Sequence, residues 1–174
     1  MRTEEMPKIP SPESEDRSTG RLLGIASFGL AVAMLATNRW FMAVDDECAI
    51  VDRAAKPVAQ TVQLFLRGLG KHEHPPLYDL LLHGWLRLTG GDMWLLRLPS
   101  VFFYVLGVWA LAKAAKLLGG RHAQIGTFFL AALWPYGFHF GRLAAWYSFS
   151  FFLVASLTLA YLKYADQPAA DGWI

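Results

Sequence analysis

A chain of 174 residues that is 55% hydrophobic and only 17% charged has too little polar surface for a soluble domain of its size. A net charge of +2 is too small to imply a nucleic-acid partner, and a single cysteine, Cys48, excludes an internal disulfide. Several apolar runs approach the roughly 20 helical residues that cross a bilayer, and mean hydropathy is +0.31. The expected class is an all-α polytopic membrane protein, with the lipid bilayer as its first partner.

Residues 1–20 are rich in Pro, Ser and Glu and read as a disordered tail. A first span is expected near 22–40. The small-residue stretch Ala31-Val32-Ala33 also fits a signal-peptide cleavage site, but the acidic tail is a poor n-region and the run ends on the interfacial anchor Asn38-Arg39-Trp40-Phe41. An outer loop follows over 41–94. Within it, Val58, Val62, Phe65, Leu66 and Leu69 recur at helical spacing after Pro57. A second amphipathic helix starts at Pro75-Pro76 and ends at Gly90-Gly91. Asp79, His83 and Arg87 form a polar stripe along it, four residues apart, which reads as its wet face. Both helices are too short to cross and are expected to lie in the interface.

Three further spans are expected near 95–118, 123–140 and 143–164. Gly119-Gly120 makes a turn between the first two, and Pro135 kinks or ends the second. That gives about four transmembrane helices and two interfacial ones. Counted this way, Arg21, Lys113, Lys116, Arg121 and Lys163 share one side, which the positive-inside rule makes cytoplasmic. The 41–94 loop and Arg142 then share the outer side.

The polar residues of that outer side carry whatever chemistry the chain has. Asp45, Asp46 and Glu47 follow the first span; carboxylates there serve as a general base, as metal ligands or simply as a solvated loop start. In Lys71-His72-Glu73-His74-Pro75-Pro76-Leu77-Tyr78, the prolines fix the backbone that presents His74. No complete zinc set surrounds these histidines. Arg142 reads equally as an anion-binding or a helix-end arginine, and Arg97 has the same two readings. The spans hold too few polar residues to trace a transporter path.

The order of these features is an apolar span, Asp46-Glu47, an amphipathic helix, His74-Pro75-Pro76-Leu77-Tyr78, Leu96-Arg97-Leu98-Pro99-Ser100, two more spans, then Arg142 through Tyr147-Ser148. From about Leu22 to Tyr164 it resembles the N-terminal part of GT-C glycosyltransferases, of the dolichyl-phosphate-mannose protein mannosyltransferase and lipid A aminoarabinose transferase type. The resemblance implies a bacterial inner- or plasma-membrane enzyme. It would take a sugar from a polyprenyl-phosphate donor to an acceptor at the outer face. Asp46, with Glu47 beside it, maps to the acidic residue that serves as catalytic base or metal ligand; Asp46 is where a divalent metal would bind, the cofactor being otherwise unspecified. His74, Glu73, Tyr78 and Arg142 map to the substrate side.

Two departures stand out. Relatives commonly carry an Arg-Glu-Ala-Arg-Met-Tyr-like motif before the fourth span; here it reads Arg142-Leu143-Ala144-Ala145-Trp146-Tyr147, without the acid or the second arginine. Such enzymes are also longer, so residues 166–174 read as the short tail of a truncated chain. The alternative implied is a non-catalytic or degenerate relative, or a subunit, that binds polyprenyl phosphate or partner helices.

Overall fold

The computed structural model describes residues 12–40, 42, 45–68 and 76–165. Among the described residues the chain is helical throughout, with α1 (Pro12–Asn38), α2 (Asp45–Ala55), α3 (Val58–Gly68), α4 (Leu77–Thr89), α5 (Met93–Leu96), α6 (Leu98–Ala132), α7 (Pro135–Phe140) and α8 (Tyr147–Ala165). Three stretches are long and apolar enough to cross a membrane: Asp16–Asn38, Met93–Ala132 and Tyr147–Ala165.

The 40-residue stretch is not one crossing. Gly119 and Gly120 leave helical geometry, and Gly120 sits at φ 69°, a conformation open to glycine but strained for other residues. The Tyr104 hydroxyl donates to the Ala131 carbonyl at 2.7 Å. In a straight helix those residues would lie about 40 Å apart. The chain therefore doubles back at the glycine pair into two arms, 98–118 and 121–132. The second arm stops before Trp134, and Pro135, which has no N–H to donate, opens the short α7. The span expected over 123–140 is thus divided, and the last helix begins at Tyr147 instead of 143.

Burial explains how the helices sit. Leu23, Leu30 and Met34 of α1 are buried against Val101, Tyr104, Val108, Ala112 and Phe128 of α6. Ile25 and Phe28, on the other side of α1, are more than 70% exposed, as a lipid-facing surface requires. The first arm of α6 packs closely on α8: a Cβ on Gly107 would stand 2.6 Å from the Phe151 ring. Phe103 meets Phe149 and Phe152 along the same seam, at centroid distances of 4.9 and 5.5 Å.

A second core caps one end of this bundle. Ile50 and Ala54 of α2, Tyr78 and Leu82 of α4, Leu96 of α5 and the irregular segment Leu143-Ala144-Ala145 pack together. The α4 stripe expected to be wet is instead largely an interface. Asp79 is buried and accepts from Arg53 Nε at 3.1 Å, and His83 Nδ1 donates to the Ala54 carbonyl at 2.7 Å. Arg87 remains exposed. The stripe turns inward because α2 supplies partners for it. By contrast α3 buries only Thr61 and leaves Val58, Val62, Leu64 and Leu66 exposed, an apolar face suited to the membrane interface.

Replacing Gly107 by Leu forces the α6–α8 seam apart. The expected cost is about 1–3 kcal/mol, seen as a lower midpoint of thermal unfolding in detergent. An unchanged midpoint would contradict this packing.

Candidate active site at the capped end of the bundle

The cap is organised by one buried ion pair. Glu47, in the first turn of α2, is fully buried, and Arg97 between α5 and α6 is 2% exposed. The guanidinium grips the carboxylate side-on through one edge: Nε donates to Oε1 at 2.7 Å and Nη2 to Oε2 at 2.6 Å. Oε1 also accepts from the Ala144 backbone N–H at 2.7 Å, and Arg97 Nη1 donates to the Asn38 carbonyl at 3.1 Å. A bidentate, charge-assisted pair is the geometry in which buried arginine and carboxylate compensate each other's lost hydration. It fastens the end of α1, the start of α2, the start of α6 and the segment before α8 to one point.

Asp46, one residue earlier on α2, is exposed, and its Oδ2 accepts from the Tyr147 hydroxyl at 3.0 Å. Three acids in the first turn suit the positive end of the α2 dipole, and Arg53 suits the other end. The Tyr147 ring stacks near Phe140 and Trp146, at 5.1 and 4.6 Å. With Tyr104, Trp134, Phe140 and Phe151 it walls an apolar cavity of about 360 Å³. An exposed carboxylate is thus fixed by a tyrosine that also forms the wall of an aromatic cavity.

The remaining expected site residues fall in different places. Arg142 is buried, not presented to solvent: Nη1 donates to Thr37 Oγ1 at 2.7 Å, Nε donates to the Phe138 carbonyl at 3.1 Å, and the guanidinium lies over the Phe138 ring at 4.7 Å. Burial, and then the nearby Arg97 charge, hold its pKa below the usual arginine range. It braces the 141–146 segment against α1. Tyr78 is 1% exposed, and its hydroxyl is within 2.7 Å of Ser100 Oγ. Burial pushes its ionisation well above the usual tyrosine range; the Ser100 bond opposes this, and the Glu47 and Asp79 charges add to it. Tyr78 therefore stays neutral and anchors α4, with no surface left to meet substrate. Glu47, read from sequence as a catalytic neighbour of Asp46, is the sealed half of the ion pair. His74 and Glu73 lie outside the described residues.

Among the described residues no three His, Cys, Asp or Glu side chains gather to hold a metal ion. The motif positions where relatives carry an acid and a second arginine are occupied by Leu143 and Ala145, which are 1% and 0% exposed in the apolar cap.

The described helices thus form an apolar bundle capped at one end by an acidic cluster beside an aromatic cavity. Residues 73–174 match the family described as dolichyl-phosphate-mannose-protein mannosyltransferase. That match covers more than half of the chain, and the chain belongs to this family of GT-C type. No curated protein and no solved structure matches it.

Arg97→Leu leaves the Glu47 carboxylate buried without its cation, at an expected cost of about 3–5 kcal/mol. Glu47→Leu combined with Arg97→Leu is expected to cost less than the sum of the two single changes. Unfolding of the four proteins in detergent checks this; additive costs would show that the pair is not coupled.

Proposed function

We propose that the protein transfers a sugar from a polyprenyl-phosphate donor to an acceptor at the outer face of the membrane, with Asp46 as general base. The observation that carries this reading is the placement of Asp46: an exposed carboxylate, held by Tyr147 at an aromatic cavity, at one end of a membrane bundle. In the reaction an acceptor hydroxyl or amine attacks the anomeric carbon while the bond from that carbon to the phosphate oxygen breaks. Asp46 takes the acceptor's proton, and the electron pair leaves with polyprenyl phosphate. Tyr147 holds the base in place. The aromatic cavity beside it offers apolar walls to the donor.

The leaving phosphate gains negative charge and needs cations or hydrogen-bond donors. Arg97 and Arg142 are both committed inside the cap. We assign the phosphate contact to His74, whose place before Pro75 restrains its backbone, with Glu73 beside it. Glu47 acts through position only: by fixing α2 it sets where Asp46 stands. Loop residues facing outward in a bacterial cell envelope, with the lysine-bearing ends inside, fit the charge distribution.

The second reading, a relative that binds polyprenyl phosphate without turning it over, draws on Leu143 and Ala145, apolar residues that leave the motif without an ionisable group at either position.

Transfer from a radiolabelled polyprenyl-phosphate sugar, in membranes carrying the complete gene product, separates the two. Asp46→Asn is expected to lower the rate roughly 10²–10⁴-fold. Tyr147→Phe, which loses one hydrogen bond to the base, is expected to lower it by less than about tenfold. Undiminished transfer by Asp46→Asn would overturn the assignment of the base. Retention of polyprenyl phosphate with no transfer by the unaltered protein would establish the second reading.

A further inference from the structure

The end of the bundle away from Asp46 carries another cavity, lined in part by charged and polar side chains, that the transfer reaction does not use. It measures about 410 Å³ and is lined by Asp16 of α1, Trp109, Lys113 and Lys116 of the first arm of α6, Gln124 of the second arm and Lys163 of α8. Lys113 lies 16 residues beyond Arg97, and Lys163 lies 16 residues beyond Tyr147. At 1.5 Å per residue each stands about 24 Å from the capped end, close to the hydrocarbon thickness. This cavity therefore opens at the opposite membrane surface.

Its chemistry is specific. Lys116 is paired with Asp16. Lys113 is exposed, with its ammonium 5.0 Å above the Trp109 ring. Lys163 is exposed and has no ion-pair partner among the described residues. Among the described residues, two cations are thus left without a carboxylate. Gln124 is 6% exposed, yet its Oε1 has no hydrogen-bond partner among the described residues. A buried acceptor without a donor is costly, so this one calls for a donor from beyond the described residues.

We propose that this cavity binds the headgroup of an anionic phospholipid that carries a hydroxyl, its phosphodiester between Lys113 and Lys163 and its hydroxyl donating to Gln124 Oε1. A hydrogen phosphate ion has the same two features, a negative oxygen and a P–OH donor. The surroundings favour the lipid. Leu117, in the cavity wall, and Leu118 beside it are 44% and 73% exposed, an apolar border on which acyl chains can lie. Basic pockets between helices at the cytoplasmic surface suit anionic headgroups, and Lys113, Lys116 and Lys163 lie on the side that the positive-inside rule makes cytoplasmic. The proposal does not depend on the identity of the transferred sugar or on catalysis by Asp46.

The test is native mass spectrometry of the full chain in neutral detergent, supplied with equal amounts of phosphatidylglycerol and phosphatidylcholine. Retention of phosphatidylglycerol over phosphatidylcholine by roughly tenfold or more is expected. Lys113→Gln with Lys163→Gln is expected to remove the preference, while Arg87→Gln, an exposed cation on α4, leaves it intact. Gln124→Leu is expected to weaken retention of phosphatidylglycerol but not of phosphatidylmethanol, which has the same charge and no hydroxyl. An equal preference in the unaltered protein and the double lysine variant would overturn the proposal. Displacement of the lipid by excess inorganic phosphate would overturn the lipid as ligand and mark a free-anion site. Both lysine side chains are exposed, so that variant decides the matter even if Gln124→Leu fails to fold.

Discussion

The capped end of this protein depends on the Glu47–Arg97 pair. Each partner is sealed from water, so neither can be buried without the other, and the carboxylate accepts three hydrogen bonds in all. Glu47 is 50 residues from Arg97 and 97 from Ala144 in the chain. The contact ties α1, α2, α6 and the 141–146 segment to one point. Arg142 makes a second, parallel tie from that segment to Thr37.

That rigid cap separates two carboxylates that are adjacent in sequence. Successive residues on a helix point about 100° apart, so Glu47 turns into the cap when Asp46 turns out of it. The inward acid positions the outward one, and Tyr147 completes the hold from α8. The same logic divides the arginines. Arg97 and Arg142 are consumed by structure, which is why the proposed phosphate contact is assigned to His74. The two ends of the bundle thereby differ in kind: one presents a fixed acid beside aromatic walls, the other presents lysines around a buried amide.

Much of the membrane-helical fold was legible in the residues, because a bilayer demands long apolar runs and leaves few alternatives. The doubled glycine at 119–120 marked the hairpin for the same local reason that it forms one. What stayed hidden depended on partners. The Asp45–Ala55 segment is charged and poor in large apolar residues, and it read as a loop; only the spacing of Glu47, Ile50 and Ala54 betrayed a buried helical face. Asp79 and His83 looked like a solvated stripe because nothing local announced that Arg53 and the Ala54 carbonyl would meet them. Arg142 and Tyr78 looked available to substrate for the same reason. Of the candidate site, the exposure of Asp46 agrees with its place after the first span, while the burial of Glu47 depends on the long-range pair with Arg97.

Transfer at the outer face requires the Asp46 end to face outward and the lysine end to face the cytoplasm. Cys48, exposed on α2 two residues from Asp46, is the only cysteine in the chain and reports on this directly. Alkylation by a membrane-impermeant maleimide would be compared between intact expressing cells and inverted membrane vesicles. The account predicts labelling in intact cells and protection in sealed inverted vesicles. Labelling only in the inverted vesicles would place Asp46 on the cytoplasmic side and contradict transfer at the outer face.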